Sequence, residues 1–137
     1  MYWVVDASFA AALFLPDETS SGARRFFAGL KPSDVLWVPS FWWHEITNVL
    51  IIAERRKRLT PADVTKIFTL LAQFNIETDI LCGTRYSGRI YEIAKTCHLT
   101  AYDAAYLELA MRKDATLATL DKQLVKASNL SGVNLFS

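Results

Sequence analysis

The chain is short of the residues that define several protein classes. Its 137 residues include two cysteines, Cys82 and Cys97. They form no CxxC pair, and two thiols are too few for a disulfide scaffold. They read as free thiols of a reducing cytoplasm. Histidine is as scarce: His44 and His98 are the only two. Neither has a partner at metal-ligand spacing, so both read as packing or surface residues rather than zinc ligands. Glycine numbers five, with no GxxxxGK[ST] or GxGxxG stretch. Without such a phosphate cradle, nucleoside triphosphate hydrolysis is disfavoured. The longest nearly apolar run covers residues 49–53, far below the roughly 20 residues of a membrane span. The opening MYWVVDASF lacks the basic-then-apolar order of a signal peptide. No repeat or low-complexity tract is visible. Excess charge is missing too: 15 Lys and Arg face 14 Asp and Glu, a net +1. That excludes nucleic-acid binding by bulk charge, and equally an acidic tail. The expectation is a cytoplasmic protein without membrane attachment.

What is present describes a packed core. Apolar residues make up 52% and charged residues 21%, values of a folded chain rather than a disordered one. The length suits one domain over residues 1–137. Tyr2-Trp3-Val4-Val5 reads as a strand buried on both faces, because its apolar residues do not alternate with polar ones. A helix over 7–15, stopped at Pro16, and a second over 19–28, capped by Gly29, follow. Val35-Leu36-Trp37-Val38 is a second buried strand. Pro39-Ser40 then starts a helix whose stripe is Ile46, Val49, Leu50 and Ala53. Thr60-Pro61-Ala62-Asp63 is a strong helix start, and that helix runs to about Phe74. A weaker third strand lies at 76–78, followed by a helix over 85–97. Thr100-Ala101-Tyr102-Asp103 repeats the capping pattern and opens a helix to about Arg112. Residues 115–120 form a fourth strand, Asp121 begins another helix, and 133–136 suit a fifth strand. Strands separated by helices predict a three-layer α/β/α sandwich around a parallel sheet.

Four acids stand out by where they fall. Asp6 directly follows the first strand and Asp121 the fourth. Glu45 lies within about two turns of the start of the helix after the second strand. Asp103 sits in the first turn of the helix preceding the fourth. In an open parallel sheet, ligands bind outside the carboxyl ends of the strands, where the strand order reverses. Asp6 and Asp121 meet there if strands one and four are neighbours. Each acid also has a structural role open to it: Asp6 and Asp121 as N-caps, Asp103 as half of a capping box, Glu45 as a solvated helix residue. Glu45, however, lies between Phe41-Trp42-Trp43-His44 and Ile46, an odd place for a free surface acid. Converging carboxylates repel and raise one another's pKa values, and a divalent cation resolves the conflict. Hard oxygen ligands suit Mg²⁺ or Mn²⁺. Carboxylate-held Mg²⁺ in turn suits phosphoryl chemistry, and phosphodiester hydrolysis remains open to this chain.

At these residues the sequence resembles a PIN-domain protein, in particular a VapC-type toxin of bacterial toxin–antitoxin systems. The segments that carry the likeness are VVDASF at 4–9, HEITNVL at 44–50, TAYDAAYLELA at 100–110 and LATLDKQL at 117–124. The resemblance implies a parallel sheet ordered 3-2-1-4-5. It also implies an acidic quartet of Asp6, Glu45, Asp103 and Asp121 that binds Mg²⁺ or Mn²⁺ and activates water for endoribonuclease cleavage. Ser8 and Thr119 match small hydroxyl positions beside that site. Asn48 lies one turn from Glu45 and can support it from the same face. The basic run Arg55, Arg56, Lys57 and Arg58 is the candidate for RNA phosphate contacts, although cations suit a helix C-terminus in any case. Phe41-Trp42-Trp43 reads as core more than as a partner surface. A cognate antitoxin and a homodimer are the implied partners. In this reading Asp6, Asp103 and Asp121 hold the metal, and Glu45 helps position it or orients the attacking water.

Two other classes compete. An aspartate-based phosphatase or phospho-acceptor domain also places an acid after its first strand, but Asp6-Ala7-Ser8 lacks the Asp-x-Asp of the phosphatase form. A non-catalytic interaction domain of the same fold would show a damaged quartet, and all four acids are present. Setting the four aside leaves 15 basic against 10 acidic residues. The near-zero net charge therefore reads as an acidic site in a mildly basic protein.

Overall fold

A computed structural model describes residues 1–15 and 21–137. Its strands are β1 (Tyr2–Val5), β2 (Val35–Pro39), β3 (Ile76–Asp79) and β4 (Thr116–Ala118). Its helices are α1 (Ala7–Phe14), α2 (Ser21–Ala28), α3 (Trp42–Arg55), α4 (Pro61–Leu71), α5 (Thr84–Cys97), α6 (Ala101–Lys113) and α7 (Lys122–Ser131). The expected stop at Pro16 and the first residues of the second helix lie outside the described residues. All pairings are parallel, in the order β3-β2-β1-β4. Trp3 of β1 sits opposite Leu36 on one side and Thr116 on the other. β1 is thus central, and its apolar run, with Val4 and Val5 fully buried, is what a strand covered on both faces requires.

The chain winds outward from β1 through β2 to β3, then crosses back to β4. Right-handed crossovers in opposite directions place their helices on opposite faces. α6 accordingly touches β1, β2 and β4 and is flanked by α5 and α7, while α1 packs with α2 and α3. An edge-to-face cluster of Trp3, Phe9, Phe26 and Phe136 closes the α1–α2 side. Trp42 is 2% exposed and belongs to the core. Trp43 is half-buried and donates from Nε1 to the Thr78 hydroxyl at 2.9 Å.

Three expectations change in detail. The helix anticipated at Pro39-Ser40 begins at Trp42 with Phe41 as N-cap, because Pro39 is still paired with Asp79 in the sheet. Glu45 therefore falls in the first turn of α3. The helix from Pro61 ends at Leu71 rather than near Phe74. The fifth strand shrinks to a single parallel bridge, Leu117 to Leu135. Asn134 O accepts from Leu117 N–H at 2.8 Å and Leu117 O from Phe136 N–H at 2.9 Å. The residues after Gly132 thus lie beside β4, where a fifth strand was expected, but pair over one residue.

Candidate active site

β1 and β4 are neighbours, so the winding reversal falls between their carboxyl ends, where an open α/β sheet forms its crevice. Asp6 follows β1 and N-caps α1, with Oδ1 accepting from Phe9 N–H at 2.7 Å. Asp121 N-caps α7, with Oδ1 accepting from Leu124 N–H at 2.9 Å. The structural role open to each from the sequence is therefore filled by one oxygen, and each keeps a second. Thr119 joins the two acids: its hydroxyl donates to Asp6 Oδ2 and accepts from Asp121 N–H at 3.0 Å.

Asp103 is the third residue of α6, in its first turn. At α4 the capping box closes in both directions between Thr60 and Asp63. At α6 only the Thr100 half forms, accepting from Asp103 N–H at 3.2 Å. The Asp103 carboxylate is thus not committed to the backbone of its own cap. Glu45 comes from the first turn of α3, and its Oε1 accepts from the Tyr106 hydroxyl at 3.3 Å.

Tyr106 is the site residue that sequence reasoning missed. Its phenol oxygen also accepts from Ala7 N–H at 3.2 Å. One buried hydroxyl therefore ties α1, next to Asp6, to Glu45 on α3. Burial first, then the neighbouring Glu45 charge, raises its pKa well beyond the ordinary tyrosine value. The proton stays on the phenol, which acts as a donor to Glu45. The only signal in the sequence was its place three residues after Asp103, on the same helix face.

The acids perturb one another. Burial pushes the Asp6 carboxyl up to about 6, against the pull of its bonds from Thr119 and Phe9, with Asp103 and Asp121 adding repulsion. Burial raises Glu45, opposed by the Tyr106 bond and helped by Asp103. Burial raises Asp103 as well, with Asp121 adding to it and Thr100 opposing. Among the described residues no lysine or arginine pairs with any of the four. No three donors among those residues stand as a ready-made chelate. The donor set nonetheless fits a hard divalent ion: four carboxylates, three of them pushed upward, no cation to offset them, and both histidines exposed outside the cluster.

Of the other candidates, Ser8 follows Asp6 in the first turn of α1. Ser8 and Asn48 are exposed, and among the described residues their side chains make no hydrogen bond. Asn48 lines a shallow groove with Trp43, His44 and Thr47. Arg55, Arg56, Lys57 and Arg58 lie at the C-terminal end of α3, roughly 15 Å along the axis from Glu45 at ~1.5 Å per residue. Arg55, Arg56 and Lys57 are exposed, and Arg58 borders a groove beside Phe14 and Lys66. Hydrogen bonds and mutual repulsion link Asp6, Glu45, Asp103, Asp121 and Thr119 among the sequence candidates.

A parallel sheet with one winding reversal, and acids from four elements at its carboxyl edge, defines the class: a doubly wound α/β domain with an acidic crevice. The chain belongs to the PIN-domain family, whose profile matches residues 3–130. Ribonuclease VapC3 from Pyrobaculum aerophilum is 30% identical to it over 126 residues, 92% of this chain and 94% of the relative. Among solved structures, PAE2754 from Pyrobaculum aerophilum superposes with a TM-score of 0.71 at 22% identity, covering 99% of this chain and 84% of that one. VapBC2 from Rickettsia felis, solved with a DNA fragment from their promoter, superposes with a TM-score of 0.68 at 15% identity, covering 98% and 97%. At such identities the solved structures speak to the fold.

Proposed function

We propose that this protein is a metal-dependent endoribonuclease that acts as the toxin of a toxin–antitoxin pair. The observation that carries the reading is the carboxylate cluster at the β1–β4 edge, in which Asp6 is held up to about 6 with no cation among the described residues paired to it. A fold that only needed caps would not load one edge with mutually repelling acids. The VapC3 relative, named a ribonuclease, supports the choice of RNA. VapBC2, solved on promoter DNA, supports a protein partner of the antitoxin kind, and the resemblance implies a homodimer.

Asp6, Asp103 and Asp121 would hold Mg²⁺ or Mn²⁺, with Glu45 at its edge. When bound, the ion neutralises the acids and polarises water and the phosphodiester. The protein's own part is positional. Thr119 fixes Asp6 Oδ2 and the start of α7 together. Tyr106 holds Glu45 by Oε1, leaving Oε2 to orient the attacking water and accept its proton. Water attacks phosphorus in line, its proton passes to Glu45, the bond to the 3′ oxygen breaks, and that oxygen takes a proton from solvent to leave as a hydroxyl. No helix among the described residues is long and apolar enough to cross a membrane, and a cytoplasmic site of action is part of the proposal. The test is cleavage of total cellular RNA with Mg²⁺ or Mn²⁺, with end mapping. Wild type should leave 5′-phosphate and 3′-hydroxyl ends. Asp6→Asn should fold and cut nothing, and cleavage by that variant at the wild-type rate would sink the assignment.

A further inference from the structure

A cavity of about 750 Å³ opens beside the acids, between the start of α3, the β3–α5 loop and the facing sides of α5 and α6. Its size suits a small organic ligand. Four aromatic rings border it: Phe41, Tyr86, Tyr91 and Tyr102. Two of these rings are continuous with the acidic site. Phe41 packs edge-on against Tyr106, at 5.5 Å between ring centroids, and Tyr106 carries Glu45. Phe41 also meets Tyr102 at 5.2 Å, and Tyr102 is the chain neighbour of Asp103. Tyr102 is 63% exposed and Tyr91 54%, so both rings are accessible from solvent. One cation, Lys95, stands at the wall, with its Nζ 5.7 Å from the Tyr91 ring centre. The acid at the wall, Asp79, is already bound by Arg112 at 2.6 Å and 3.1 Å.

Aromatic walls with a lysine at their rim suit an unstacked base attached to a phosphate. Single-stranded RNA is held in this way, by stacking its splayed bases on aromatic side chains. We propose that this cavity is a base-binding subsite for single-stranded RNA, taking one base beside the phosphate at the acids, with Lys95 meeting a neighbouring phosphate. The proposal rests on the ribonuclease reading and adds what that reading lacks: which part of the surface chooses the nucleotide next to the cut. A second protein chain could also cover apolar surface. The direct continuity of Phe41 and Tyr102 with Glu45 and Asp103 favours the substrate.

The test uses the full chain and a short single-stranded RNA substituted one position at a time with an abasic site or 2-aminopurine. One position beside the cleaved phosphate should quench 2-aminopurine on binding. An abasic site there should raise KM by about five- to a hundred-fold, the range for losing one stacked base. Tyr91→Ala should remove the quench and make intact RNA behave like the abasic one. A second perturbation needs no change in the fold: Cys82 is exposed and lines the cavity, so a bulky maleimide on it, in a Cys97→Ser background, should block the base in the same way. If both altered proteins keep the wild-type KM, cut sites and quench, the proposal is wrong while the ribonuclease reading stands. If they only convert a dimer to a monomer in light scattering, the cavity is a subunit contact and the proposal is equally wrong. If wild type cuts no RNA, the ribonuclease reading fails. Loss of the quench in Tyr91→Ala would then still support base binding, and absence of any quench in wild type would overturn it.

Discussion

Replacing Asp6 with asparagine separates a helix cap from a site acid, because the two roles predict opposite changes in stability. A cap whose charge helps the fold loses stability when neutralised. A buried carboxylate held high gains it. The Asp6 pKa is about 6 in the folded protein, against roughly 3.9 in an unfolded chain. Between these values the native state binds more protons than the unfolded one, so stability falls as pH rises from about 4 to 6. By pH 7.5 the wild type has given up about 3 kcal/mol of the stability it has below pH 4. Asparagine carries no charge and escapes this loss. It keeps an oxygen for Phe9 N–H but loses the acceptor for the Thr119 hydroxyl, which costs about 1 kcal/mol. The net gain is about 2 kcal/mol at pH 7.5. Over 137 residues, with an unfolding entropy of about 2.1 cal/mol/K per residue, that is a Tm rise of about 7 °C. At pH 4.5 only about 1 kcal/mol of the penalty has developed, so the two proteins should melt together. The assay is thermal melting in chelator at both pH values. Adding Mn²⁺ should then raise the wild-type Tm and leave the variant unmoved. An Asp6→Asn protein that melts below wild type at both pH values would refute the reasoning and leave Asp6 as a cap.

The remaining predictions concern the groups around it. Tyr106→Phe keeps the ring but frees Glu45 Oε1, and RNA cleavage should drop about ten- to a hundred-fold, the usual cost of losing a supporting hydrogen bond at a metal site; an unchanged rate would show that Tyr106 serves packing alone. Thr119→Val removes a bond that holds the Asp6 carboxyl down, so the acidic limb of the pH–rate profile should move to higher pH; a limb that stays in place argues against Asp6 as the titrating group. Arg112→Met takes the cation from buried Asp79 and leaves Glu108 with Arg89 alone, and should cost about 3–5 kcal/mol in chemical denaturation. Leu117→Ala empties a fully buried position in β4 and should cost about 2–5 kcal/mol; a loss below 1 kcal/mol would mean that β4 and the segment at Leu135 collapse around the gap.

The backbone was legible where local rules decide it. The unbroken apolar runs at Tyr2–Val5 and 35–38 announce strands covered on both faces, and Thr60-Pro61-Ala62-Asp63 announces a capped helix that forms with both reciprocal bonds. Legibility fails where a local rule meets a tertiary one. Pro39 looks like a helix opener but has no N–H to give up, and as the last residue of β2 it loses nothing by that. Thr100 and Asp103 look like a second closed box, yet the Asp103 carboxylate makes no return bond to the cap backbone and lies near Asp121, Asp6 and Glu45. Tyr106 is the clearest case. In sequence it is one more aromatic in a helix whose neighbours are buried. Its partners, Ala7 and Glu45, lie 99 and 61 residues away, and no pattern in the sequence links them. The cavity between α3, α5 and α6 was invisible for the same reason, since its rings come from separate segments.

The protein buries carboxylates in two places and treats them oppositely, and the contrast says which cluster serves the fold. Glu108 is fully buried and Asp79 nearly so. Arg112 bonds both, reaching Glu108 at 2.9 Å and Asp79 at 2.6 Å, and Arg89 adds a second cation to Glu108 at 2.8 Å. These bonds join β3, α5 and α6, and they satisfy the acids as a buried charge must be satisfied. The second cluster, at the β1–β4 edge, has hydrogen bonds but no ion pair to a cation among the described residues. Burial, and secondarily the repulsion of neighbouring acids, raises the pKa of Asp6, Glu45 and Asp103 instead. The same chain, with 15 lysines and arginines available, supplies arginines to one set of acids and none to the other. An arrangement that costs stability persists where a function compensates for it. In the ribonuclease reading proposed above, hard carboxylate oxygens take that compensation from a divalent cation. The melting experiment on Asp6 therefore tests more than one residue: it asks whether the free energy withheld at this edge is returned when the ion binds.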